Sequence, residues 1–278
     1  MVFEPATDNR LLATDYWLLT TDYWLLVPFL WYKGPEEATV GVKLFIPCFM
    51  DQAAPGVAAA VTALLARLGV AWEYPEDQTC CGQFAHTLGD VATARKLMRL
   101  FLRVFGGDDR LTPVLCPSAS CVYMVRQGYP SLAGGRPEQQ EIETLASRVL
   151  ELSEFLAPRL PLPWTPSFPG RLVLHRSCKA RQLRVLPTAA RVLSQVSGLE
   201  LLEVSPYYSC CGFGGTFRLQ HPDLSREMGE AYLEAVRETG ARGLASLDSS
   251  CLLHLKSLAT ARGWDLEFFH LAEILVAG

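Results

Sequence analysis

The amino-acid sequence predicts an α/β protein built from two pseudo-repeated small units, each a parallel sheet with helices, related by an offset of 130 residues. Three observations lead there. A cysteine pattern occurs twice. The same alternation of apolar runs and helical stretches surrounds each copy. A proline-rich segment lies between the copies. At the single offset of 130, Cys48 maps onto Cys178, Cys80 onto Cys210, Cys81 onto Cys211 and Cys121 onto Cys251. Each copy therefore reads C-x31-CCG-x38-C. Gly82 and Gly212 follow the pairs, and Ser120 and Ser250 precede the last cysteines. Such agreement at one period is the signature of an internal repeat. Cys116 alone has no counterpart.

The elements follow the same offset. Val42–Pro47 and Leu172–His175 are short apolar runs that end at a first cysteine, and each reads as a buried strand. Helices are predicted over Pro55–Leu68 and Pro187–Val196. Each starts on a proline, which suits a first helical turn, and Gly69 and Gly198 provide the stops. Second strands are expected near Ala71–Tyr74 and Glu200–Val204, and third strands near Pro113–Cys116 and Gly243–Ser246. Between them lie helices over Asp90–Phe105 and Asp223–Thr239. Strand, helix, strand, helix, strand argues for a parallel sheet in each unit. A further helix is predicted over Glu141–Ala157, followed by a linker over 158–170 with five prolines. The chain thus divides into a first unit at 40–157, the linker, and a second unit at 171–278.

Residues 1–39 read as an extension outside the fold. Leu11–Tyr32 is apolar and holds TDYWLL twice, and its length approaches that of a membrane span. Asp15 and Asp22 argue against one, at roughly 2.5–3.5 kcal/mol each near a bilayer centre. A start-site extension or a partner-docking tail is the preferred reading, and membrane association is not expected.

Composition narrows the function classes. Half of the 278 residues are hydrophobic and 19% are charged, so a large core forms and disorder is not expected. The net charge of -4 offers no basic footprint for nucleic acid. No cationic start followed by an apolar run and a small-residue cleavage site marks a secretory leader. A reducing, cytoplasmic setting is therefore expected, where clustered cysteines bind metal or do redox work. Gly212–Gly215 (GFGG) lacks dinucleotide-binding spacing, and neither a Walker motif nor a G-x-S-x-G elbow occurs.

In α/β units ligands gather beyond the carboxyl ends of the strands. The three cysteine regions of each copy all fall there. Four thiolates converging on one edge match a common iron–sulfur ligand set. The candidate cofactor ligands are Cys48, Cys80, Cys81 and Cys121 in one copy and Cys178, Cys210, Cys211 and Cys251 in the other. Successive side chains point apart in extended backbone. A CC pair therefore implies an irregular turn or a cluster touched by both sulfurs. Three alternatives stay open: cysteines packed as small hydrophobes, a four-thiolate zinc site, and a dithiol/disulfide centre. Cys116 is a possible extra ligand. His175 and His270 are candidates for taking up a proton or holding a substrate carboxylate. Arg176, Lys179 and Arg181 cluster about Cys178, where they would lower a thiolate pKa or balance an anionic cluster.

The doubled motif resembles the cysteine-rich CCG-domain iron–sulfur proteins. That family includes the cysteine-rich subunit of heterodisulfide reductase, the iron–sulfur subunit of glycolate oxidase, and the lactate-utilisation branch (LutA/YkgE). The resemblance is nearest to the last. It rests on FIPCFMD at Phe45–Asp51, YPEDQTCCGQ at Tyr74–Gln83, PSASC at Pro117–Cys121, SCCGFGGTF at Ser209–Phe217, SCLL at Ser250–Leu253 and HLAEIL at His270–Leu275. It implies 4Fe–4S clusters, one or two per chain, with zinc an alternative in one site. It also implies electron transfer in a complex oxidising L-lactate or another 2-hydroxy acid, lactate to pyruvate, with a LutB-like iron–sulfur protein and a LutC-like protein as partners. The heterodisulfide-reductase type ends each motif in CxxC. Here Met124 and His254 stand three residues after the last cysteines. That departure favours the lactate reading over thiol/disulfide chemistry, and makes His254 a possible fifth ligand. A metal-free or zinc-bound interaction scaffold is the alternative from another class.

Overall fold

A computed structural model describes residues 41–107, 109–205, 207 and 210–277. The extension predicted over 1–39 lies outside the described residues.

The first unit begins with β1 (Val42–Leu44), α1 (Cys48–Ala53), α2 (Pro55–Arg67) and β2 (Trp72–Glu73). It continues with α3 (Gln83–Thr87), α4 (Val91–Phe105), β3 (Val114–Cys116) and α5 (Ala119–Tyr123). A π-helical turn at Met124–Gly128 leads into α6 (Tyr129–Ala133), α7 (Gln139–Ser147), β4 (Val149–Glu151) and α8 (Leu152–Leu156). The second unit runs β5 (Ser167–Leu174), α9 (Cys178–Leu183), α10 (Leu186–Leu193), β6 (Ser197–Leu202), α11 (Phe217–Gln220), α12 (Pro222–Glu238), β7 (Gly243–Ser246), α13 (Ser249–Ala261), β8 (Glu267–His270) and α14 (Leu271–Val276).

Both sheets are four-stranded and wholly parallel, and they share one order: β2-β1-β3-β4 and β6-β5-β7-β8. The predicted α/β class and the repeat at 130 residues are therefore present in the structure.

Four strands differ from the sequence reading. Each sheet has a fourth strand. In the first unit, β4 interrupts the helix predicted over Glu141–Ala157 and pairs with β3, Cys116 facing Glu151. The helical period ran through it because Val149, Leu152 and Phe155 are all buried. The helix restarts at Leu152 on a capping box, where the Glu151 side chain accepts from Ser153 N and Glu154 accepts from Glu151 N. In the second unit β8 takes the same place, with His270 opposite Ser246. Finally, the segment predicted as a linker over 158–170 enters β5 at Ser167, and β6 starts at Ser197 rather than near Glu200.

The two units share their largest core. It joins Val42, Leu44, Val61, Leu64 and Leu65 of the first to Leu172, Ala189, Val192, Ile274 and Leu275 of the second. The packing is reciprocal. The last helix of each unit lies on the second helix of the other, α14 on α2 and α8 on α10. Near the cysteines α5 meets α9, and α1 meets α13. Each fully buried Leu or Ile contributes on the order of 1.5–3 kcal/mol by leaving water. A core of this composition therefore fixes one unit against the other.

Candidate metal centre

Each repeated cysteine lies in a segment that follows a strand, on the carboxyl side of its sheet, and Cys116 is the last residue of β3. Cys48 and Cys178 are the first residues of α1 and α9. Cys121 and Cys251 lie in the opening turns of α5 and α13, behind the N-cap residues Ser118 and Asp248.

The CC pairs lie in turns closed by glycines in the left-handed region, Gly82 at φ 82° and Gly212 at φ 80°. A side chain at 212 would bring its Cβ within 2.3 Å of the Ser225 carbonyl on α12. Glycine is thus required by backbone handedness and by the helix behind the turn. The turn keeps the adjacent sulfurs in contact but at different depths. Cys81 and Cys211 are buried, while Cys80 and Cys210 are half-buried.

In the first unit the Cys81 and Cys121 sulfurs are 3.4 Å apart, and Gly82 N donates to Cys80 Sγ at 3.4 Å. Hydrogen bonds from Cys48 and Cys81 hold the Cys80 thiol down at about 3, and the same contact holds Cys48 up. Cys116 is fully buried beside Cys121. Its hydrogen bond, aided by one from Cys81, lowers Cys121 to about 5, while burial raises Cys116. The fifth sulfur therefore belongs to the first cluster of thiols. In the second unit the Cys211 and Cys251 sulfurs are 3.0 Å apart, and Phe213 N donates to Cys211 Sγ at 3.5 Å. The contact with Cys211 raises Cys210, and burial raises Cys178.

Both sets open on one cavity of about 250 Å³. All eight repeated cysteines line it, with Ser118, His175, Ser177 and Asp248 among the polar walls and Phe49, Phe84 and Phe213 among the apolar ones. Phe213 packs edge-on against Phe49 and Phe84 of the first unit, closing that side with rings from both units.

Asp248 stands where the units meet and is 1% exposed. It accepts from Ser118 Oγ at 3.0 Å, Ser120 N at 2.8 Å and Ser177 Oγ at 2.7 Å. Ser118 and Asp248 are themselves 130 residues apart, so the two copies of one repeat position face each other. Sequence reasoning did not single out Asp248. The available signal was that offset, which aligns it with Ser118 as an N-cap three residues before a last cysteine.

The remaining candidates separate. His175 is fully buried at the end of β5, and burial lowers it to about 4. One of its ring nitrogens, Cys211 Sγ and Cys251 Sγ all lie within 4.8 Å of one another. His270 caps α14, its Nδ1 accepting from Ala272 N at 3.2 Å. His254 places Nε2 3.4 Å from Ser225 Oγ on α12, outside the cavity lining. Lys179 lies over the Tyr123 ring of the other unit at 3.8 Å. Arg176 and Arg181 join Arg184 along a second cavity of about 610 Å³ beside β6.

Soft thiolate donors in this number suit iron–sulfur groups or zinc. The cysteine-rich CCG domain matches the chain twice, over residues 42–126 and 172–256. The chain belongs to the CCG family. Similar CCG relatives include lactate utilization protein A of Geobacillus kaustophilus, 36% identical over 85% of this chain and 98% of the relative. The protein of that name in Geobacillus thermodenitrificans is 35% identical over 84% and 98%. That of Bacillus subtilis is 34% identical over the same shares. A crystal structure of a hypothetical protein from Helicobacter pylori shares the fold, with a TM-score of 0.59 and 9% identity. The match covers 90% of this chain, which spans about half of that protein (52%). Among the described residues no helix is long and apolar enough to cross a membrane.

Proposed function

We propose that this CCG protein is the iron–sulfur electron-transfer subunit of a complex that oxidises L-lactate, or a related 2-hydroxy acid, to the 2-oxo acid. The observation that carries the reading is the convergence of all eight repeated cysteines on one cavity at the carboxyl edges of both sheets. The names of the relatives point to lactate as substrate.

Cys48, Cys80, Cys81 and Cys121 would hold one cluster, with Cys116 within reach, and Cys178, Cys210, Cys211 and Cys251 a second. The donor set fits: the sulfurs are soft, close-packed and free of disulfide bonding. When bound, the clusters, 4Fe–4S by resemblance, supply one-electron chemistry. The chain's own part is to hold the ligands. Thiol–thiol hydrogen bonds keep Cys80 and Cys121 low in pKa, ready to bind. The aromatic walls limit water, and Asp248 ties the two ligand loops together. A LutB-like iron–sulfur protein and a LutC-like protein would complete the complex, in the reducing cytoplasm where such thiolates persist.

Anaerobic purification followed by iron, acid-labile sulfide and EPR analysis tests the reading. Brown protein with near-stoichiometric iron and sulfide is expected, with a large loss in Cys81→Ser and Cys211→Ser. Zinc alone, or unchanged iron in both variants, would contradict it.

A further inference from the structure

We propose that His175 is a metal ligand of the second CCG unit, so that the two sites differ in kind: sulfur donors alone in the first, sulfur and imidazole nitrogen in the second. The inference rests on reading the repeat as a metal site and assigns a ligand that the cysteine pattern does not contain.

The geometry is a trio. One His175 ring nitrogen and the Cys211 and Cys251 sulfurs lie mutually within 4.8 Å. His175 is 0% exposed, and among the described residues neither ring nitrogen has a hydrogen-bond partner. Buried imidazoles ordinarily bond at least one nitrogen, because a buried polar group left unpaired costs about 1–3 kcal/mol. The Tyr232 ring, 4.9 Å away, orients the imidazole without satisfying either nitrogen. A metal held by the two sulfurs would take the lone pair of the unprotonated ring nitrogen.

The repeat offers an internal comparison. His175 N donates to Ala245 O at 2.7 Å, and Phe45 N donates to Leu115 O at 2.9 Å. The two donors are 130 residues apart and so are the two acceptors, so Phe45 and His175 occupy the same backbone position. In the first unit that position is apolar, packed edge-on against Phe101 and Phe105. The exchange runs the other way one strand over, where the first unit has Cys116 and the second has Ser246. Each unit thus adds one donor to its shared four, from a different strand end. Histidine in place of cysteine raises the potential of an iron–sulfur centre, so the second site would be the more oxidising of the two. His254 serves as the control, since its Nε2 faces Ser225 and it stands outside the trio.

The test is pulsed EPR on anaerobically prepared protein grown on 15N-histidine. The expected result is a directly bonded 15N coupling on one of the cluster signals. It should vanish in His175→Asn and in His175→Phe, the residue that the first unit already carries, and persist in His254→Asn. Iron-replete protein with no such coupling, or with one that survives both His175 variants, would overturn the ligand assignment and leave the electron-transfer reading standing. Protein that takes up no iron would instead overturn that reading. In that case cobalt(II) is the probe: an absorption spectrum altered in both His175 variants supports the assignment, and an unchanged one removes it.

Discussion

Glu151 offers the most direct test of how the frame around the cysteines is built. Its side chain is 0% exposed, at the end of β4 beside Cys116. One carboxyl oxygen caps α8, accepting from Ser153 N at 2.7 Å and from the Ser153 hydroxyl, while the other has no partner among the described residues. Burial raises the carboxyl from 4.5 to about 8, with Glu154 and Asp248 adding to it, so the buried form is the neutral acid. The unfolded chain ionises near 4.5. As pH rises from there to about 8, the unfolded state loses a proton that the folded state keeps. The stability that this group contributes is therefore full below 4.5 and is lost through that window. At about 1.36 kcal/mol per pKa unit the loss is on the order of 5 kcal/mol.

Glu151→Gln keeps the capping oxygen and removes the titration. Its stability relative to the parent should be near zero or slightly negative at about pH 4.5, then climb to a plateau above about pH 8. For a chain of this size that is a Tm swing of roughly 10 °C, read by thermal melts across pH with both proteins in one metal state. A Tm difference that stays constant from about pH 4.5 to about 9 would refute the argument. His270 holds the matching position in the second unit, and burial lowers it from 6.5 to about 4. Its contribution runs the other way, lost as pH falls from 6.5 towards 4, so His270→Asn should narrow its Tm deficit on the acid side.

Asp248→Ala should cost about 3 kcal/mol or more, because three donors from both units lose their shared acceptor; urea melts with the parent m-value would measure it, and a loss below about 1 kcal/mol would deny Asp248 its tying role. Gly212→Ala should cost well over about 2 kcal/mol, since its Cβ meets the Ser225 carbonyl at 2.3 Å. Gly89→Ala, at φ 79° with open space around it, should cost only about 1 kcal/mol, and equal losses at the two glycines would remove the steric argument.

The doubled cysteine spacing made a four-sulfur convergence in each unit legible, because a parallel α/β unit places every strand end on one side; that both sets open on one cavity was not legible. What stayed hidden was the fourth strand. Val149–Glu151 is three residues long, and its buried positions continue a helical period, so periodicity alone could not separate strand from helix. Pairing with β3 decides the matter, and pairing is a tertiary fact. Asp248 and Glu151 were hidden for a related reason. Their importance comes from who faces them across the unit boundary or the sheet, and a linear pattern carries no such information. His175 was visible as a residue, but its closeness to Cys211 and Cys251 depends on β5 and β7 lying side by side.

The reciprocal packing changes what the duplication means for function. Two units joined by a free proline-rich tether would move independently, and their sites would meet only at intervals. Here the segment after α8 runs into β5, α8 lies on α10 and α14 on α2, so each unit completes its core with the other's last helix. Asp248 then binds Ser118 and Ser177 from opposite units, fixing the two ligand loops at one distance. Opening the boundary would expose Val61, Leu64, Val192 and Leu275 together, at on the order of 1.5–3 kcal/mol each. The two sheets and their crossed helices are therefore held in one arrangement, and two of the differences between the copies fall on potential donors: Phe45 against His175, and Cys116 against Ser246. If the sites hold clusters and His175 is a ligand of the second, that difference gives electron flow a direction, from the all-sulfur site to the site that contains nitrogen.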